Sequence, residues 1–343
     1  MNSRTKILIL KLGAIGDVVM ASSLITAIDE KYPGAEIIWI CGRIVEPLLS
    51  SFGRINKIYS IDEKKLYHGS FWEKLTTVFS IWKFLAGKHF QIVLNCYRDK
   101  RYKILLLPVS AGAYKDFRHN SNENFLLPGR YHGDEYSRMI SGINDWQLTN
   151  SKFPEIYLPE IYHLKELIVN TTLPKIIIAP GGSKNILRHD DLRRWALENY
   201  VNLVRELNSR NFSVILAGAE TDSWVLPQFD GTSFINLIGK TSLLELIGVF
   251  NNVDLLVTHD TGILHLAKLS RIKIVALFGP VNPKERIGIN ENVDVLWGGA
   301  KLPCSPCYNG KTFAECSNNI CMQNISVESV IEKINNILKQ NSN

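Results

Sequence analysis

Residues 6–17 read KILILKLGAIGD, and the fold turns on them. Ile7, Leu8, Ile9 and Leu10 make an apolar run of strand length, apolar on both faces, as a central strand of a parallel sheet requires. Gly13 and Gly16 break the run, and an amphipathic stretch from Asp17 to Lys31 follows. Strand, glycine turn and helix open a Rossmann-like unit, whose ligands bind at the carboxyl ends of the strands. AEIIWIC (35–41), set off by the Pro33-Gly34 turn, KIYSI (57–61) and QIVLN (91–95) read as further strands. Within FWEKLTTVFSIWKFLAG (71–87), Phe71, Leu75, Val78, Phe79, Trp82 and Leu85 recur at helical spacing, which predicts an aromatic face packed on the sheet. Lys74, Lys83 and Lys88 beside the tryptophans allow a second reading, a helix lying on a membrane surface.

The pattern pauses over 119–174, rich in scattered Gly, Pro and Asn, and then restarts. KIIIAP (175–180), a helix around 195–209, SVILAGA (213–219), FINLIG (234–239), DLLVTHD (254–260) and KIVALFGP (273–280) form a second α/β series. A terminal helix over 325–340 has Ser326 placed to cap it. The expected domains are a Rossmann-like acceptor-binding domain at 1–170, a Rossmann-like donor-binding domain at 171–325 and a C-terminal helix at 326–343. Ligands are expected in a central cleft faced by the two parallel sheets.

A chain of 343 residues is long enough for two such cores, and 21% charged residues with no low-complexity block argue against extensive disorder. The apolar runs fall short of the roughly 20 residues that span a bilayer. The basic start lacks a small-residue cleavage site, so a cytoplasmic protein is expected, with contact at the cytoplasmic face of the inner membrane kept open. Net charge is +6, with 22 basic and 17 acidic residues in 1–170 against 17 and 16 beyond. That bias points to an acidic partner for the first half, such as an acidic glycolipid or glycan. It is too small for nucleic acid, for which no motif appears.

Three strand-end loops carry chemistry. In the first, Asp17 stands where a phosphate-binding loop avoids negative charge; it is either a helix cap or a general base for an acceptor hydroxyl. Gly13 and Gly16 line the same turn, with backbone amides directed at a ligand. The second, Gly181-Gly182-Ser183-Lys184, is followed by Arg188, Arg193 and Arg194, which suits an anion. The third, His259-Asp260-Thr261-Gly262-Ile263-Leu264-His265, offers Thr261 and Gly262 amides for a phosphate, Asp260 for sugar hydroxyls, and His265 one turn on. Glu220, after strand 213–219, suits a ribose diol. No D-x-D pair occurs, so cationic side chains would have to meet the charge of a pyrophosphate. In the basic segment 98–118, Arg98 and Arg101 are candidates for an acidic acceptor.

ILKLGAIGDVVMAS, PGGS…RRW and HDTGILHLA…LFGP, in that order, resemble glycosyltransferase family 9, the heptosyltransferases of lipopolysaccharide core assembly. The resemblance implies a GT-B fold and inverting, metal-independent transfer of heptose from ADP-heptose to an acceptor sugar. It implies Asp17 as base, and Asp260, Thr261, Gly262 and His265 at the donor. The family's phosphate-binding lysine falls on Arg193, which keeps the charge but changes its shape, and its ribose-contacting glutamate falls on Glu220. No cofactor is then required for catalysis.

Cys304, Cys307, Cys316 and Cys321 follow a C-x2-C-x8-C-x4-C spacing suited to structural Zn or Fe, with disulfides or plain thiols as alternatives. Similar loops in relatives that glycosylate proteins resemble it with bound iron, which keeps an autotransporter-type protein acceptor open. A nucleotide-sugar epimerase on the same architecture is the other rival; it needs acid and base on two faces of one sugar.

Overall fold

Ile7 pairs with Ile37 on one side and with Ile92 on the other, which makes the opening strand the centre of its sheet. In this computed structural model, residues 4–117, 129–142, 151–169, 172–182, 191–288, 290–308 and 312–340 are described. The chain divides into two compact units, Met1–Tyr157 and Leu158–Asn343.

In the first unit β1 (Lys6–Leu10), β2 (Glu36–Gly42), β3 (Lys57–Ile61), β4 (His89–Asn95) and β5 (Ser110–Asp116) form a parallel sheet in the order β3-β2-β1-β4-β5. Its helices are α1 (Ile15–Ala21), α2 (Ser23–Lys31), α3 (Glu46–Ser51), α4 (Glu63–His68), α5 (Phe71–Leu85) and α6 (His132–Ser141). The helix expected from Asp17 starts two residues earlier and is interrupted at Ser22. A Ser70–Glu73 capping box starts α5. The face of α5 that packs is only partly the one expected: Leu85 is buried and Val78 packs against the core, but the aromatic end of the stripe does not. Thr77, Ile81 and Leu85 are buried at i, i+4 and i+8, whereas Phe71 is 71% and Phe79 52% exposed. Large aromatic residues suggested the inner face, but the 3.6-residue period assigns it to the smaller side chains.

In the second unit β6 (Lys175–Ala179), β7 (Ser213–Leu216), β8 (Ile235–Asn236), β9 (Leu255–His259), β10 (Lys273–Phe278) and β11 (Val293–Trp297) run parallel in the order β11-β10-β9-β6-β7-β8. The helices are α7 (Tyr162–Val169), α8 (Leu197–Ser209), α9 (Leu243–Phe250), α10 (Gly262–Ala267), α11 (Pro283–Ile287), α12 (Ile320–Gln323) and α13 (Val327–Gln340). Residues 158–170, expected to close the first domain, fall in this unit, where Ile161 is buried against Gly248. Ser326 caps α13, its Oγ accepting from the Ser329 amide at 3.2 Å. The α/β class with two parallel sheets agrees with the reading of the sequence. Among the described residues no helix is long and apolar enough to cross a membrane.

Candidate active site

At the end of β1 the chain turns through Leu12-Gly13-Ala14 into α1, which places Asp17 in that helix's first turn. Asp17 is not the cap; Ala14 holds that position without a side-chain bond. The Asp17 carboxylate is 40% exposed and accepts from Lys11 Nζ at 2.9 Å, while Lys11 itself is only 4% exposed. Lys11 stands 4.5 Å from the centre of the Tyr97 ring and 5.9 Å from that of Tyr136. Burial alone would lower the pKa of the ammonium; Asp17, Tyr136 and Cys96 more than offset this and raise it above its ordinary value. Lys11 is therefore a fixed cation. The amides of Leu12 and Gly13, expected to face a ligand, are taken by the Tyr97 hydroxyl at 2.7 and 3.4 Å. Tyr97 stacks on Tyr102, whose hydroxyl lies 2.7 Å from that of Tyr67.

The basic segment is largely neutralised locally. Arg101 is exposed and held by Asp99 at 2.6 Å, Lys103 pairs with Asp116 at 2.5 Å, and Lys115 donates to the Met139 carbonyl at 2.8 Å. Arg98 is half-buried after β4, and Arg118 lies outside the described residues.

In the second unit the ends of β6, β7 and β9 come together. Gly182 has φ +85°, which glycine adopts without strain, and its amide donates to Asp222 Oδ1 at 2.8 Å. The other oxygen of Asp222 accepts from the Ala219 amide at 2.9 Å. A Cβ on Gly181 would meet Asp222 at 2.5 Å, and one on Gly182 would meet Thr261 at 2.9 Å. Asp222 thus ties the glycine loop to the end of β7. Ser183, Lys184 and Arg188 lie outside the described residues.

Asp260, just beyond β9, is 2% exposed and lies 3.2 Å from Arg193, 3.7 Å from His265 Nε2 and 3.9 Å from Arg286. Burial would raise its pKa, but Arg193, His265 and Arg286 together pull it well below the carboxylate range. Asp260 is paired with Arg193 and lies near Arg286. His265 is buried, its Nδ1 has no hydrogen-bond partner among the described residues, and burial, opposed by Asp260, lowers its pKa. His259 is buried and shares a 2.8 Å hydrogen bond with Tyr200; burial, aided by Arg193 and Arg194, pushes its pKa down to about 3. Thr261 and Gly262 begin α10. Glu220 is exposed at the end of β7, lying against Gly239.

The four cysteines of the C-terminal loop line one small pocket with Leu192 and Pro280. Cys304 and Cys316 are exposed, Cys307 is half-buried and Cys321 is buried, all as free thiols. Cys321 donates to Asn319 Oδ1 at 3.2 Å, and burial, with Cys307 and Cys316 nearby, pushes its pKa up to about 11. Among the described residues no group of three or more His, Cys, Asp or Glu side chains is disposed to hold a metal ion. The arrangement does not fit the Zn or Fe site expected from the spacing. The spacing brings the thiols to one pocket without giving them ligand geometry.

Lys11, Tyr97, Glu63 and Asp222 were not singled out in the sequence. A lysine inside the apolar run ILILKL was the one available signal, since a strand interior tolerates a charge only when it is paired.

Comparison with known proteins agrees with these observations. Residues 153–317 match the sequence model of glycosyltransferase family 9 (heptosyltransferase). The lipopolysaccharide core heptosyltransferase OpsX of Haemophilus influenzae is 25% identical, over 94% of each chain. The solved structure of the Escherichia coli ADP-heptose lipopolysaccharide heptosyltransferase II superposes with a TM-score of 0.71 at 17% identity, covering 99% of this chain and 100% of that one. A family 9 glycosyltransferase from Veillonella parvula superposes at 0.74 with 18% identity, covering 99% of both. At such identities the structures show a shared fold, the GT-B class expected above. With motifs, family match and full-length relatives in agreement, the chain is a glycosyltransferase similar to the heptosyltransferases of glycosyltransferase family 9.

Proposed function

We propose that the protein moves a heptose from ADP-heptose to a sugar acceptor of the lipopolysaccharide core, with inversion and without a catalytic metal. The observation that carries this reading is the Lys11–Asp17 pair: a half-exposed carboxylate at the end of the central strand, oriented by a buried cation. The name of the E. coli structural relative supports the donor. The acceptor O–H attacks the anomeric carbon as the carbon–oxygen bond to the diphosphate breaks. Asp17 takes the proton, and ADP leaves with the bonding pair. Attack opposite the leaving group inverts the centre. Arg193, anchored by Asp260, with Lys184 and the Thr261 and Gly262 amides, meets the charge that gathers on the diphosphate. Glu220 takes the ribose. In this reading the first unit is the acceptor side, with Gly13, Gly16, Arg98 and Arg101 beside the acceptor, and the second is the donor side. The exposed face of α5 supports contact with the cytoplasmic face of the inner membrane, where such an acceptor is reached.

The test is a mass-spectrometric transfer assay with ADP-, GDP- and UDP-sugars against deacylated core oligosaccharides. Transfer of heptose from the ADP sugar, giving a product of inverted anomeric configuration in the presence of a chelator, is the expected result. Preference for another nucleotide, a retained configuration or loss of activity on chelation contradicts the corresponding part of the reading.

A further inference from the structure

Glu63 opens α4 directly after β3, where Asp62 caps the helix by accepting from the Lys64 amide. β3 and β1 flank β2 in the sheet, and the Glu63 side chain lies over the end of β2 with its carboxylate turned toward the end of β1. A Cβ on Gly42, at the end of β2, would stand 2.7 Å from Glu63 Cγ, and one on Gly13, beyond β1, would stand 2.7 Å from its Oε1. The two strand-end glycines leave the space that this side chain fills. Its carboxylate is delivered to the turn that leads into Asp17.

Glu63 is 7% exposed, and among the described residues no hydrogen bond reaches its carboxylate. Burial raises its pKa; Lys11, already held by Asp17, opposes this, and Asp62 adds to it. Tyr67 and Tyr102 stand nearby, with their hydroxyls directed at each other. A largely buried carboxylate that takes no hydrogen bond from the protein, and whose oxygens keep some access from outside, is open to a donor that arrives there. A divalent cation is not what the site takes, because no group of three or more ligands is disposed to hold one among the described residues. An anion is excluded by charge. What fits is a neutral donor brought in from outside: the hydroxyl of a bound saccharide.

We propose that Glu63 is an acceptor-binding residue whose carboxylate takes hydrogen bonds from hydroxyls of the saccharide acceptor at the Gly13 turn. The inference rests on reading that turn as the acceptor end of the reaction. It makes the part of the acceptor seated there neutral and hydroxyl-bearing, whatever acidic groups the acceptor carries elsewhere.

The test is calorimetric titration of the full-length protein, with ADP present, using two deacylated lipopolysaccharide core oligosaccharides, one ending before the first heptose and one after it. In Glu63→Gln, affinity for the oligosaccharide that the wild type binds falls at least about 10-fold, as loss of a charge-assisted bond implies. ADP affinity stays within about twofold, and the melting temperature is unchanged or higher because a buried charge is gone. Glu63→Ala loses more oligosaccharide affinity. Oligosaccharide affinity equal to wild type in both variants overturns the inference, as does a wild type that binds neither oligosaccharide. Lowered stability with ADP binding lost in step assigns Glu63 a structural role instead and also overturns it. Asp17→Asn, assayed for transfer in parallel, separates the two ideas: transfer that persists there defeats the base reading, whatever Glu63 does.

Discussion

Lys11 Nζ lies 2.9 Å from Oδ2 of Asp17, so that a buried lysine directly after the central strand holds a half-exposed carboxylate on the helix that follows. The pair links sheet to helix and fixes the side chain on which the proposed chemistry depends. Lys11→Met keeps the apolar stem between the Tyr97 and Tyr136 rings but removes the charge. Transfer is expected to fall at least about 10-fold while ADP affinity holds and the melting temperature changes little, because a buried lysine replaced by a similar apolar chain loses little packing. Lys11→Arg recovers part of the rate. Steady-state kinetics with unaltered kcat in Lys11→Met would remove Lys11 from the site.

Asp222 ties together two strand-end loops of the second unit, accepting from Gly182 and Ala219 at once. Asp222→Ala orphans both amides, at a cost of about 2–3 kcal/mol by urea denaturation. The glycine loop loses its anchor, so ADP binding weakens with it. Asp222→Asn keeps one acceptor and is milder. Unchanged ADP affinity in Asp222→Ala would show that the loop holds its place by other means.

Acid should destabilise the second unit through His259. Its pKa is about 3 when folded, against an ordinary value of about 6.5. Between those values the unfolded chain binds a proton that the native state does not, so stability falls as pH drops from 6.5 toward 3. At about 1.4 kcal/mol per pH unit, moving from pH 7 to pH 5 costs about 2 kcal/mol. His265 acts in the same direction, and Asp260, whose pKa is lowered, adds its loss only in stronger acid. Urea midpoints at pH 7 and pH 5 should differ less in His259→Asn than in the wild type. Equal pH dependence would contradict the assignment.

Much of the fold was legible because its strands are apolar on both faces; β1, β2, β6, β9 and β10 could hardly be anything else. β5 was not, since SAGAYKD is small and polar and lies at a sheet edge, where packing asks little of it. Asp17, Asp260 and Arg193 stood out by position after strands. Their partnerships did not. Nothing in the order of residues says that Asp260 holds Arg193, that Asp99 occupies Arg101, or that Glu63 reaches over the end of β2 toward Gly13. Charge patterns give the number of ions and leave their pairing to the folded geometry.

The exposed face of α5 gives the membrane reading a direct test. Phe71, Trp72 and Phe79 are exposed, Trp82 Nε1 donates to the Ile104 carbonyl at 2.8 Å, and Ile104 and Leu107 are exposed alongside. Lys74 and Lys83 lie on the same helix. Trp72→Ser with Phe79→Ser should lower sedimentation with phosphatidylglycerol vesicles at least about fivefold and leave transfer to a water-soluble oligosaccharide intact. Undiminished vesicle binding would assign this face elsewhere.

The base is the centre of the account, and Asp17→Asn tests it with the smallest change available. The amide keeps shape and a hydrogen-bonding oxygen for Lys11 but cannot accept the proton. Heptose transfer is expected to fall by about 100-fold or more, with the calorimetric affinity for ADP within about twofold of wild type. Transfer that survives the substitution, or ADP binding that collapses in step with it, would contradict the role given to this carboxylate.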